Sequence, residues 1–234
     1  MKLLFVFVFL SVAFVSCVED AKREPATFEP AMEASYEDNE NSYYENGQLE
    51  SEKTYNNGVE TYKEYYENGQ LYLVTNYKDG KEDGVRKSWH ESGQLKEEGF
   101  FNNGKRNGLY KNWYKNGQLE LEEEYNNGIN VNSVKKWYKN GQLASEGNYE
   151  NGKTNGTYKT YNVSGQLESQ SIYKDGKYEG TQIKFNYSPH PKDQKMGIKT
   201  IKFIDTYENG VQTNRKQILI YKSGKEIIYD NSKF

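Results

Sequence analysis

Between Leu119 and Tyr125 the chain alternates strictly. Leu119, Leu121, Glu123 and Tyr125 share one parity and Glu120, Glu122 and Glu124 the other, the period-two pattern of a pleated strand. The triplet Gly-Gln-Leu precedes such a run six times, with glycines Gly47, Gly69, Gly93, Gly117, Gly141 and Gly165 at spacings of 22, 24, 24, 24 and 24. A fixed period of this length marks a repeat architecture. Four residues before each glycine stands Tyr43, Tyr65, Trp89, Trp113, Trp137 or Tyr161. Three before stands Tyr44, Tyr66, His90, Tyr114, Tyr138 or Asn162. Eight after stands Tyr55, Tyr77, Phe101, Tyr125, Tyr149 or Tyr173, and eleven after a second glycine preceded by Asn or Asp.

Each copy therefore reads as strand, turn, strand, turn, with strands of roughly seven to nine residues. No helical template fits, because glycines recur too densely and Tyr, Thr and Val abound. Asn116-Gly117 is expected to form a two-residue type I′ turn, both residues at positive φ. That register sets Tyr114 opposite Leu119 and Trp113 opposite Glu120. One face then gathers the Tyr, Leu and aromatic columns with a column of small residues that includes Thr75, Gly99, Gly147 and Ser171. It is expected to be the buried face, with rings lying across the small column. The other face carries Trp89, Trp113 and Trp137 among Glu and Lys, and a one-residue slip would exchange the two. The first copy is short, its missing residues fall between Gly58 and Tyr65, and its second turn is expected to differ. The expected fold is all-β, an elongated single-sheet antiparallel meander of stacked hairpins. At about 4.8 Å between strands, some twelve strands would span roughly 55 Å.

The pattern resembles the MORN repeat, and more closely its bacterial variant, whose units read Tyr-Tyr-x-Asn-Gly-x-Leu…Tyr-x-x-Gly-x-x-x-Gly. Trp113-Tyr114-Lys115-Asn116-Gly117-Gln118-Leu119, then Tyr125 and Gly128, carry that form here. The further glycine is present as Gly84, Gly108, Gly156 and Gly180, while Tyr62 and Asn132 depart from it. The resemblance implies a hairpin array, and some bacterial proteins with this variant are described as antitoxin-like partners of toxins. Lipid binding, suggested for some relatives, lacks a basic patch here.

Outside residues 41–185, the array, the chain changes character. Lys2 and an apolar run over residues 3–15 lead to Ser16-Cys17, so residues 1–17 resemble a lipoprotein signal peptide with Cys17 as the lipidated residue. A plain thiol in a leader cut elsewhere is the competing reading. Residues 18–40, acidic and holding Pro25 and Pro30, read as a flexible tether. Residues 186–234 read as a divergent C-terminal β cap: a loop to 197, a strand over 199–207, a turn at Asn209-Gly210, and a hairpin around Ser223-Gly224-Lys225.

With 22 Tyr and 21 Gly in 234 residues, the composition is polar yet too aromatic and regular for disorder. A net charge of -3 gives no footprint for nucleic acid. His90 and His190 stand a hundred residues apart, and no Cys/His cluster suggests zinc. Glu122, Glu123 and Glu124 alternate faces and read as a solvated surface, and Gly104-Lys105 and Gly152-Lys153 as turns. No catalytic, cofactor or metal site emerges, and the chain reads as a non-enzyme. The candidate binding surface is the column Tyr65, Trp89, Trp113, Trp137 and Tyr161, rigid aromatics about 10 Å apart on alternate strands. Its bland alternative is packing within a curled sheet or under the stems of Lys111 and Lys135. The expected function is an exported, lipid-anchored scaffold of the bacterial envelope, in the outer membrane, binding a protein or a glycan. An antitoxin-like role is the alternative.

Overall fold

The computed structural model describes residues 40–187 and 191–230. Cys17, the leader and the tether up to residue 39, with Pro189, His190 and residues 231–234, lie outside the described residues.

Among the described residues nineteen strands form one sheet. It opens with β1 (Glu40–Tyr43), β2 (Leu49–Asn56), β3 (Val59–Tyr65) and β4 (Leu71–Lys78). Next come β5 (Lys81–Glu82), β6 (Gly84–Trp89), β7 (Leu95–Asn102), β8 (Lys105–Trp113), β9 (Leu119–Asn126) and β10 (Ile129–Trp137). β11 (Leu143–Glu150), β12 (Lys153–Thr154), β13 (Gly156–Tyr161), β14 (Leu167–Lys174), β15 (Lys177–Tyr178) and β16 (Gly180–Asn186) complete the copies. A short helix α1 (Pro191–Lys195) lies in the stretch expected to be loop, with proline in its first turn. The chain returns as β17 (Ile198–Glu208), β18 (Val211–Tyr221) and β19 (Glu226–Asp230). Every pairing is antiparallel between strands that follow one another, apart from the small breaks at β5, β12 and β15. The meander is thus as expected, and it runs without interruption from the last copy into β17–β19.

The first turn of each copy differs from expectation. Gly117 N donates to Tyr114 O at 2.8 Å and Tyr114 N to Gln118 O at 2.9 Å. Gly117 alone has positive φ, at 81°, so the loop is three residues closed by a left-handed glycine. Trp113 consequently faces Leu119, with a register shift between Asn112 and Trp113, and Tyr114 faces Gln118. Asn116 is there for its side chain. Its Oδ1 accepts from Gln118 N at 3.2 Å and its Nδ2 donates to Lys139 O at 2.7 Å, in the next copy's turn. The two-residue turn belongs to the other end of the copy, where Asn127 (φ 50°) and Gly128 (φ 83°) join β9 to β10.

The short first copy has an ordinary second turn, Asn57 at 49° and Gly58 at 76°, contrary to expectation. Its deficit lies in the strand. β2 and β3 pair in unbroken register, whereas between β9 and β10 the register jumps from Val131↔Glu124 to Val134↔Glu123. The same two-residue excess separates Tyr77↔Glu82 from Leu73↔Ser88 and Phe101↔Arg106 from Gly99↔Tyr110. The further glycine of the repeat is this bulge, with Gly84 at 111° and Gly108 at 88°, and Asn132 takes the left-handed conformation itself at 57°. A copy without the bulge is two residues shorter, which accounts for 22 against 24.

One face carries the buried row. Thr75, Tyr110, Val134, Ser171 and Gln182 are at most 4% exposed. Rings do lie across the small column: an alanine Cβ at Gly99 would stand 2.5 Å from Tyr110 Cδ2, and at Gly147 Tyr158 would be closer still. Arg106 seals the Tyr110 ring, its guanidinium carbon 3.8 Å from the centroid and Nη2 donating to the hydroxyl at 2.9 Å. In β17, Asp205 is 2% exposed and accepts from Arg215 Nε at 2.7 Å and Nη2 at 3.0 Å.

Candidate functional surface

The opposite face carries a charged row across the sheet. Lys63–Glu52 (2.7 Å), Lys87–Glu98 (2.9 Å), Lys111–Glu122 (3.2 Å) and Lys159–Glu146 (3.7 Å) are paired along it. Exposed pairs of this kind contribute at most about 1 kcal/mol each, so the row's main effect is to leave this face without a field of one sign.

Beside this row runs the aromatic column. Tyr65, Trp89, Trp113, Trp137 and Tyr161 are all half-buried, neither sealed in nor fully free. The two tyrosines at its ends are tied to the row. Tyr65 donates to Glu52 Oε1 and Tyr161 to Glu146 Oε1, each at 2.8 Å. Burial, then the bond to Glu52, pushes the Tyr65 phenol up to about 12. Hydrogen bonds from Lys63 and Tyr65 hold Glu52 below the usual carboxylate range. The indole N–H groups of Trp89, Trp113 and Trp137 donate to no other described residue and are not buried.

The main chain under the column is pinned from the preceding copy. Tyr44 Oη donates to Tyr65 O (2.6 Å), Tyr66 Oη to Trp89 O (2.8 Å), Tyr114 Oη to Trp137 O (2.8 Å) and Tyr138 Oη to Tyr161 O (2.7 Å). The Tyr column, expected on the buried face, is instead this ladder between copies. His90 keeps the ladder intact at its own step: Nε2 lies 2.9 Å from Trp113 O, which makes Nε2 the protonated nitrogen. In the sequence His90 is only the residue that stands in the Tyr column of its copy, and this bond is not legible there. At the other edge, turn amides do the same work, Gly104 N to Glu82 O and Gly128 N to Arg106 O, each at 2.8 Å. Four of the six turn glycines, Gly69, Gly93, Gly141 and Gly165, stack under the preceding copy's glutamine: a Cβ at Gly69 or Gly93 would lie 3.1 Å from Gln48 or Gln70 Oε1, while Gly47 and Gly117 have open space there.

One groove interrupts the column. It measures about 370 Å3 and is lined by His90, Trp113, Tyr114, Lys115, Asn116, Glu120 and Lys139. Sequence reasoning named Trp113 alone among these as a site residue. The signal was present where copies differ: the residue two before each glycine runs Glu45, Glu67, Glu91, Lys115, Lys139, Val163.

A single sheet built of self-similar hairpins, each bonded to the next by side chains that recur at the repeat period, defines an open repeat scaffold. A family profile described as MORN repeat variant matches residues 39–57, 61–79, 82–103, 106–127, 132–151 and 154–175, together just over half the chain. The chain belongs to the MORN repeat variant family. A search of curated protein sequences finds no match.

Proposed function

We propose that this protein is a non-catalytic, exported scaffold, anchored by a lipid on Cys17, that binds another macromolecule of the cell envelope through the column Tyr65, Trp89, Trp113, Trp137 and Tyr161. The observation that carries the binding reading is the state of the column. Five rings sit in line on a charge-balanced face, their main chain held in place, with three indole donors left for a partner. Half-buried aromatics on a rigid sheet lose little side-chain entropy on contact, and so supply the anchors of an interface. Export and anchoring rest on the arrangement of Lys2, the apolar run and Cys17.

The test is capture from envelope extracts with the intact chain and with the triple variant Trp89→Ala, Trp113→Ala, Trp137→Ala. The partner is retained by the first and lost by the second. Equal capture by a triple variant with an unchanged circular dichroism spectrum removes the column from the reading. For the anchor, palmitate labelling sensitive to globomycin is expected in the native chain and absent in Cys17→Ala; unlabelled native chain overturns it.

A further inference from the structure

Trp113 lies in a groove flanked by two lysines, Lys115 and Lys139, that form no salt bridge with any described residue. Lys139 Nζ stands 5.8 Å from the centroid of Tyr114, so its ammonium overhangs one wall. Glu120, half-buried and likewise outside any ion pair, lines the groove beside Trp113. Two ammonium groups and one carboxylate leave the groove with a net charge that matches a monoanion, and Glu120 repels a dianion brought in beside it.

The shape narrows the ligand further. Trp113 is half-buried and lines the groove, and its main chain is held through Leu119 opposite and through the bond from His90, so its indole, whose N–H donates to no other described residue, meets a ligand from a fixed position. The electron-rich face of an indole attracts the polarised C–H groups of a saturated ring. The Glu120 carboxylate and the Trp113 indole N–H, both on residues that line the groove, can accept from and donate to hydroxyls, and a groove of about 370 Å3 is within the range of small-ligand sites, about 300–1,000 Å3. We infer that this groove binds a sugar ring bearing one carboxylate, of the uronic acid type, stacked on Trp113 with its carboxylate between Lys115 and Lys139 and its hydroxyls on Glu120 and the indole N–H. Trp89 and Trp137, one repeat away on either side, continue the column in both directions, so the seat admits a ring within a chain of sugars. This rests on the column being the binding surface proposed above, and names the ligand class at its centre.

The experiment follows tryptophan fluorescence and titration calorimetry of the full chain with an oligogalacturonate, a neutral oligosaccharide of equal length, and inorganic phosphate. The oligogalacturonate binds and shifts the emission. Trp113→Ala, which keeps the carbonyl that His90 contacts, weakens it by about tenfold or more. Lys115→Gln with Lys139→Gln, which leaves every ring in place, lowers affinity for the acidic sugar towards that of the neutral one. Equal binding of the neutral sugar to the native chain, displacement by phosphate, or binding by neither sugar each overturn the inference. Trp-dependent capture of a protein from envelope extracts without sugar binding overturns it while leaving the column reading standing. Equal capture by the triple tryptophan variant removes that reading instead.

Discussion

Replacing Gly99 by alanine tests the packing of the buried face at one atom. Gly99 lies in extended backbone, so the substitution adds no left-handed strain, and the new methyl would stand 2.5 Å from Tyr110 Cδ2 and 3.2 Å from Cε2. The ring cannot swing away freely, since Arg106 covers it at 3.8 Å and holds its hydroxyl at 2.9 Å, and Tyr110 is 4% exposed. Forcing an extra carbon into such a site costs about 1–3 kcal/mol. Removing a glycine from the unfolded chain returns about 0.4–1 kcal/mol. The net is a loss centred on about 1.3 kcal/mol and spanning about 0–2.6 kcal/mol, or a central fall in midpoint of roughly 3–5 °C for a domain of this size. Urea and thermal unfolding, followed by circular dichroism and by tryptophan fluorescence, read it directly. The control is the same substitution in a Tyr110→Ala background, where the methyl meets no ring and Gly99→Ala becomes neutral or stabilising. Gly117→Ala separates the two causes: φ is 81° with no atom within 4 Å, so its cost of about 1–2 kcal/mol is purely backbone and persists in either background. If Gly99→Ala costs as much without the Tyr110 ring as with it, the ring-over-glycine account is wrong.

Three further outcomes are expected. Tyr114→Phe deletes the bond to Trp137 O at 2.8 Å and His90→Phe the bond to Trp113 O at 2.9 Å, each lowering stability by about 0.5–1.5 kcal/mol in urea titrations; no loss from either would sink the ladder. Deleting Asp83 and Gly84 together converts the second copy to the register of the first and leaves a folded protein, whereas deleting Gly84 alone sends β6 onto the wrong face and unfolds it; the reverse result, by circular dichroism, refutes the bulge assignment. Tyr65, raised in the folded state from 10.0 to about 12, contributes stability that is full below pH 10 and lost as pH rises towards 12. Alkaline melts of Tyr65→Phe therefore fall less steeply over that window than the native chain's, and parallel curves contradict the assignment.

The spacing of Gly-Gln-Leu, the alternation of Leu119 to Tyr125 and the recurring Asn-Gly pairs were enough to establish repeated hairpins in one antiparallel meander, because strand period and turn chemistry are local properties of consecutive residues. The small column could be read the same way, since Gly99 and Gly147 leave space whatever the register. Which glycine closed which turn could not. Asn-Gly suits both a two-residue turn and a three-residue loop, and the choice rests on whether the asparagine side chain has a carbonyl to reach in the next copy, as Asn116 has in Lys139. That bond spans 23 residues, as does the bond from Tyr114 to Trp137, so neither exists until neighbouring copies lie side by side. The same holds for the two-residue bulge, which a sequence shows only as a glycine and a change of spacing. It holds for the groove at Trp113 as well, whose walls come from three successive copies: His90 from one, Trp113, Lys115 and Glu120 from the next, Lys139 from the third. The chain's local chemistry determined that these strands would form and pair in order; contacts between groups a whole repeat apart decided the register, the exposed faces and the seat for a ligand.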